Sequence, residues 1–112
     1  MESEPIVTTE CGPVRGFVTA DGIATFRSIP YAKPPVGALR WQPPVRLTGA
    51  SSGCWEGTLD ASTFTPACLQ MPAYGTAGET SEDCLKLHVW VPNGAAAASA
   101  SLPVICLLYT SD

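Results

Sequence analysis

Apolar and polar side chains alternate most clearly in the stretch 85–91. The alternation predicts a β-strand with Leu85, Leu87, Val89 and Val91 on one face. Further along, the run 102–105 (Leu-Pro-Val-Ile) is continuously apolar, as the buried strands of α/β proteins are. We therefore expect a second strand to open there.

A tight hairpin is predicted near the amino end. Asp21-Gly22 supplies the positive φ angles of a tight hairpin turn, and it lies between strand-like stretches at 14–18 and 23–26. Gly12-Pro13 reads as a break that separates these strands from an earlier one at 6–9. The sequence thus predicts a small antiparallel meander from Ile6 to Ser28.

Prolines dominate the next segment, from Pro30 to Gly53, and exclude a regular helix or a central strand there. A linker would carry few large apolar residues, so we expect an extended segment that wraps the fold and is pinned by Tyr31, Leu39 and Trp41. Aromatic residues beside prolines and on strands usually lie in a core, and the same is expected of Trp55 and Trp90.

Composition narrows the class of protein. The 112 residues suffice for one small domain, hydrophobic residues make up 46% and charged residues 14%, and the net charge is −4. Such a chain is neither disordered nor suited to nucleic acid. No apolar run is long enough to cross a bilayer. The acidic start, Met1 to Pro5, predicts no signal peptide, which leaves a cytoplasmic protein or a secreted one with an incomplete amino terminus.

Few residues of the sequence are candidates for metal binding or catalysis. No two of the five cysteines are spaced as Cys-x-x-Cys, and the single histidine, His88, is isolated, so no metal site is expected. The Gly-x-Ser-x-Gly turn that exposes a nucleophilic hydroxyl does not occur around any serine. The sequence therefore predicts no catalytic, cofactor-binding or metal-binding residue in these positions.

Three sequence motifs nevertheless follow one another along the chain: Phe26 to Arg40 (FRSIPYAKPPVGALR), Cys68-Leu69-Gln70, and Ser81 to Leu87 (SEDCLKL). Together they resemble the N-terminal portion of the type-B carboxylesterases, the α/β-hydrolase family that includes the cholinesterases. The resemblance covers about residues 6–105. It implies an α/β fold in which 1–105 are an N-terminal fragment carrying the meander, the proline-rich wrap and the first strands of the central sheet.

The resemblance also implies a function for a longer parent protein. Members cleave small-molecule carboxylic esters through a Ser-His-Glu/Asp triad and an acyl-enzyme intermediate, without cofactor or metal. The triad would lie downstream, so this chain alone is expected to be inactive. Position 88 is usually Asn in the family, which makes His88 a structural residue rather than the general base.

Two residue pairs follow from the resemblance. Cys68 and Cys84 fall where the family places a disulfide, with two reduced core thiols as the alternative state. Arg40 and Glu82 match positions that form a salt bridge in relatives, with two solvated surface charges as the alternative.

Two other interpretations of the chain remain open. A catalytically inactive relative of the neuroligin kind would keep the same scaffold for adhesion, and a self-contained small binding domain would end naturally at Asp112. The terminal string, Cys106 to Asp112, matches one reading frame of a transposon end used as a sequencing-library adapter. We therefore predict that 106–112 are a non-native tail, the alternative being a genuine, divergent strand end.

Overall fold

The described part of the chain folds into two small β-sheets. A computed structural model describes residues 4–49, 53–70, 79–92 and 101–107. The elements within those ranges are strands β1 (Ile6–Thr9), β2 (Gly12–Arg15), β3 (Phe17–Val18), β4 (Ile23–Pro30), β5 (Leu59–Asp60) and β6 (Lys86–Pro92), with a 3-10 helix at Gly37–Leu39.

The first sheet has the order β1-β2-β5, with β1 antiparallel and β5 parallel to β2. The predicted break at Gly12-Pro13 is wrong, because both residues belong to β2 and pair with Thr9 and Thr8. The reversal falls at residues 10 and 11 instead, where the Thr9 hydroxyl donates to the carbonyl of Gly12 (2.8 Å). Proline is tolerated because β5 pairs only with Val14 and Arg15, leaving β2 with one neighbour at Pro13.

The second sheet has the order β3-β4-β6, with every pairing antiparallel. The predicted hairpin at Asp21-Gly22 joins β3 to β4, but only Gly22 takes a positive φ (80°) and Asp21 does not. The backbone N–H of Thr19 closes the hairpin by donating to the carbonyl of Ile23 at 2.9 Å. The alternating stretch forms β6, so that prediction is confirmed to within one residue at each end.

A close approach divides the predicted strand at 14–18 into β2 and β3. A Cβ added at Gly16 would collide with the carbonyl oxygen of Thr25 and with the ring of Phe26. Only glycine lets the chain pass β4 at this distance. The meander is therefore two hairpins in two sheets, linked through Ala61, whose N–H donates to Arg15 and whose carbonyl accepts from Arg27.

The core between the sheets is small. Its buried members are Val14, Ala24, Phe26 and Ala61, and partly buried apolar residues surround them (Val7, Ile29, Trp55, Leu59 and Val91). Strand β6 contributes little to it, because Leu87, Val89 and Trp90 are all exposed among the described residues. The sheet thus presents an apolar strand that has β4 on one side only.

The proline-rich wrap is held by buried aliphatic residues rather than by its aromatic ones. Tyr31 is exposed and Trp41 is 87% exposed, so the prediction that they pin the segment is wrong, whereas Leu39 is half-buried. Ala32 and Leu47 are buried instead, and the N–H of Lys33 donates to the carbonyl of Val45 (2.9 Å).

The predicted strand at 102–105 does not form. Residues 101–107 pair with no strand of the described chain, and Ile105 is 94% exposed. An apolar strand needs a neighbour to satisfy its backbone groups, and the described residues supply none. Across the described ranges, no helix is both long and apolar enough to cross a membrane.

Candidate functional site

The base of the 68–84 loop is held by a disulfide and by backbone hydrogen bonds. Cys68 and Cys84 are joined by a disulfide, with Cα atoms 5.1 Å apart. The N–H of Ala67 donates to the carbonyl of Glu79 (3.0 Å), and that of Ser81 donates to the carbonyl of Ala67 (2.8 Å). The two ends of the loop are therefore held together by backbone as well as sulfur. Residues 71–78 of this loop lie outside the described ranges.

The structure brings Arg40 and Glu82 together beside the loop base. The Nε atom of Arg40 lies 2.6 Å from Oε1 of Glu82, and the two side chains are 55% and 41% exposed. The same guanidinium lies 5.4 Å from the centre of the Trp41 ring. This arrangement ties the proline-rich wrap to the loop, although solvent screens the charges and limits what the pair contributes.

A cleft of about 240 Å³ opens between the wrap and the loop base. Its lining combines apolar surface with one neutralised ion pair, from Pro35, Arg40, Trp41, Leu69, Ser81, Glu82 and Cys84. The Ser81 hydroxyl accepts the N–H of Asp83 (3.0 Å), and in the described residues no hydrogen bond joins it to a side-chain base. The cleft can receive an apolar group, but the lining offers no nucleophile–base pair.

His88 lies away from this cleft, on β6. Its Nδ1 accepts the backbone N–H of Ser28 (3.0 Å), while the Ser28 hydroxyl accepts the N–H of Thr65 (3.0 Å). Ser28 is therefore hydrogen-bonded to the imidazole through its backbone N–H and not through its hydroxyl. Partial burial, and then the neighbouring Arg27 guanidinium, lower the pKa of His88 below its usual value of 6.5.

The three tryptophans differ in environment. Trp55 is partly buried and its indole N–H donates to the carbonyl of Pro13 (3.0 Å), as expected of a core residue. Trp41 and Trp90 are exposed, which contradicts the prediction that all three are core. Both exposed rings contact a neighbouring side chain, Arg40 for Trp41 and His88 for Trp90.

Sequence reasoning missed a second disulfide, between Cys11 and Cys54, whose Cα atoms are 5.1 Å apart. It ties the β1–β2 turn to the end of the proline-rich wrap. Next to it, Arg46 Nη2 lies 2.9 Å from Glu10 Oε2. Spacing alone could not reveal the bridge, because pairing Cys68 with Cys84 leaves three cysteines and several possible partners. Within the described ranges, no group of three or more His, Cys, Asp or Glu residues could hold a metal ion.

Comparison with known proteins identifies relatives across nearly all of the chain. The model of the carboxylesterase family matches residues 3–111. Neurotactin of Drosophila melanogaster is 42% identical over 103 residues, which is 92% of this chain and 12% of that protein. Phenmedipham hydrolase of Pseudarthrobacter oxydans is 41% identical over 101 residues, or 83% of this chain and 19% of that protein. This chain therefore spans less than a fifth of either relative.

Solved structures agree with the sequence comparison. A structure of PNB esterase has a TM-score of 0.66 and 38% sequence identity, and the match covers 81% of this chain and 17% of that one. The small sheets described above are thus the N-terminal portion of an α/β-hydrolase fold. Sequence and structure together show that the chain belongs to the carboxylesterase family.

Proposed function

We propose that this chain is the N-terminal part of a serine hydrolase that cleaves small-molecule carboxylic esters. The family match over residues 3–111 carries the proposal. Relatives named phenmedipham hydrolase and fumonisin B1 esterase, at 41% and 40% identity, support hydrolysis as the activity. The likeness to PNB esterase supports the same activity from the fold.

The proposed chemistry is that of an acyl-enzyme. A serine hydroxyl attacks the ester carbonyl while a histidine takes its proton, and the alcohol leaves with that proton. Water then attacks the acyl-serine with the histidine again as base, which releases the acid and restores the serine. A Glu or Asp would orient the histidine throughout. No metal or cofactor enters this scheme.

Residues outside this chain would supply the triad. Three of the four described serines support that assignment, because the hydroxyls of Ser28, Ser62 and Ser81 are hydrogen-bonded to backbone N–H groups or to a carboxylate. Ser51, Ser52 and Ser111 lie outside the described ranges. The chain would instead contribute scaffold, and the cleft beside the Cys68–Cys84 loop would form one wall of the entrance for the substrate.

The test is to sequence the source transcript past the codon for Ile105 and to express the complete protein. We expect a His-Gly-Gly segment, then a Gly-x-Ser-x-Gly elbow, and hydrolysis of p-nitrophenyl butyrate that disappears when the elbow serine becomes alanine. Gly or Ala at that elbow, with no ester hydrolysis, would overturn the proposal in favour of an inactive adhesion or binding relative.

The same transcript tests the proposed tail at 106–112. If these residues derive from an adapter, an independent read diverges from them after Ile105. An independent read that encodes Cys106 to Asp112 and continues in frame would make them native.

A further inference from the structure

A β-bulge in β4 lies directly opposite the single histidine of the chain. Phe26 pairs with Val89 and Ile29 pairs with Leu87, so two residues of β4, Arg27 and Ser28, face only His88 on β6. Ser28 has a φ of 60°, a left-handed conformation that a serine adopts at a cost. Contacts outside the regular ladder must hold such a bulge in place.

Those contacts come from three places. The N–H of Arg27 donates to the carbonyl of Ala61 (2.8 Å), and the Ser28 hydroxyl accepts from the N–H of Thr65 (3.0 Å). The N–H of Ser28 is removed from the ladder by the bulge and donates to Nδ1 of His88 at 3.0 Å. An imidazole nitrogen can accept a hydrogen bond only while it carries no proton. The third contact therefore requires a neutral ring.

His88 is exposed to solvent, and no acidic side chain of the described residues forms an ion pair with it. From β4 the charged group that faces it is Arg27, itself a cation, whose Nε is buried without a hydrogen-bond partner in the described part of the chain. From the 61–66 segment comes Phe64, with its ring edge-on to the imidazole at 5.1 Å, and that segment carries no titratable side chain. On β6 itself, Lys86 and Trp90 lie two residues to either side.

We propose that His88 is a pH-sensitive clasp for the β4 bulge. The neutral imidazole accepts the Ser28 N–H and holds the left-handed residue in place. Protonation turns Nδ1 into a donor that opposes the Ser28 N–H and adds a second cation beside Arg27, so the contact opens. The inference concerns the stability of this part of the fold and is independent of the catalytic proposal.

The direction of the pH effect follows from the lowered pKa of His88 in the folded chain. Between that pKa and 6.5, the unfolded chain binds more protons at this site than the folded chain does. The contribution of the clasp is thus complete above 6.5 and is lost as the pH falls through the folded-state pKa. Within this window the unfolding equilibrium constant rises by at most about tenfold for each unit by which the pH falls.

The experiment compares denaturant unfolding of the complete protein with those of its H88N and H88A variants, from about pH 7.5 to about pH 5. Asparagine keeps an acceptor on the same side-chain atom position but does not titrate, whereas alanine removes the acceptor. We expect the wild type to lose stability relative to H88N below pH 6.5. H88A should be less stable than H88N at every pH, and its stability should change with pH as that of H88N does. Equal pH dependence of wild type and H88N would overturn the proposal.

A second measurement needs no variant. In residue-resolved hydrogen exchange on the wild-type protein, the Arg27 amide serves as an internal reference, because its acceptor is the carbonyl of Ala61. Protection of the Ser28 amide should fall relative to that of Arg27 as the pH drops below 6.5. A constant ratio of the two protection factors across the range would also refute the clasp.

Discussion

Removing the Cys11–Cys54 disulfide should destabilise the protein more than removing Cys68–Cys84. The first bridge spans 43 residues and the second spans 16. In the chain-entropy model these loops contribute about 4 and about 3 kcal/mol. Cys54 is also buried, and its Sγ accepts the N–H of Gly49 at 3.2 Å, so its loss leaves a backbone donor without that partner.

The assay is urea unfolding of the complete protein, followed by fluorescence, for the double variants Cys11→Ala/Cys54→Ala and Cys68→Ala/Cys84→Ala beside the wild type. Both variants should unfold at lower urea, the first at the lowest. Full reduction of the wild type should bring its midpoint below that of either variant, because both constraints are then absent. If Cys11→Ala/Cys54→Ala unfolds at the wild-type midpoint, or if the order of the two variants is reversed, the reasoning from loop length is refuted.

Two further substitutions test local contacts by the same unfolding assay. Gly16→Ala should destabilise the protein by about 1–3 kcal/mol, because the new Cβ meets the carbonyl of Thr25 and the ring of Phe26; an unchanged midpoint would mean that β4 moves aside freely. Arg40→Ala should cost less than about 1 kcal/mol, since the ion pair with Glu82 is exposed. The coupling in a double-mutant cycle with Glu82→Gln should shrink at high salt, and coupling that is indifferent to salt would contradict an electrostatic tie.

Local patterns predicted the second sheet well, because its signals are short-range. Asp21-Gly22 favours a hairpin through its own backbone preferences, and alternation over 85–91 favours a strand with one apolar face. The break at Gly12-Pro13 was predicted wrongly because the tolerance of a proline depends on how far the neighbouring strand extends. Here β5 stops short of Pro13, which no pattern around residue 13 reveals.

The remaining errors involve partners that local sequence does not name. Trp41 was expected to be buried for its size, but Ala32 and Leu47 hold the inner side of the wrap. The stretch 102–105 has the composition of a buried strand, yet the described residues include no strand that could pair with it. In the site, Cys68 with Cys84 and Arg40 with Glu82 could be anticipated only through a family resemblance. The Cys11–Cys54 bridge needed the folded chain.

The two disulfides follow one another along the chain without overlapping. Four cysteines allow three pairings, and only in this one is each bridge complete before the next begins. During synthesis from the amino end, Cys11 and Cys54 are therefore both available before Cys68 has been made. In an oxidising compartment the pair that is synthesised first can be joined first, so the order of translation favours this pairing over the two others.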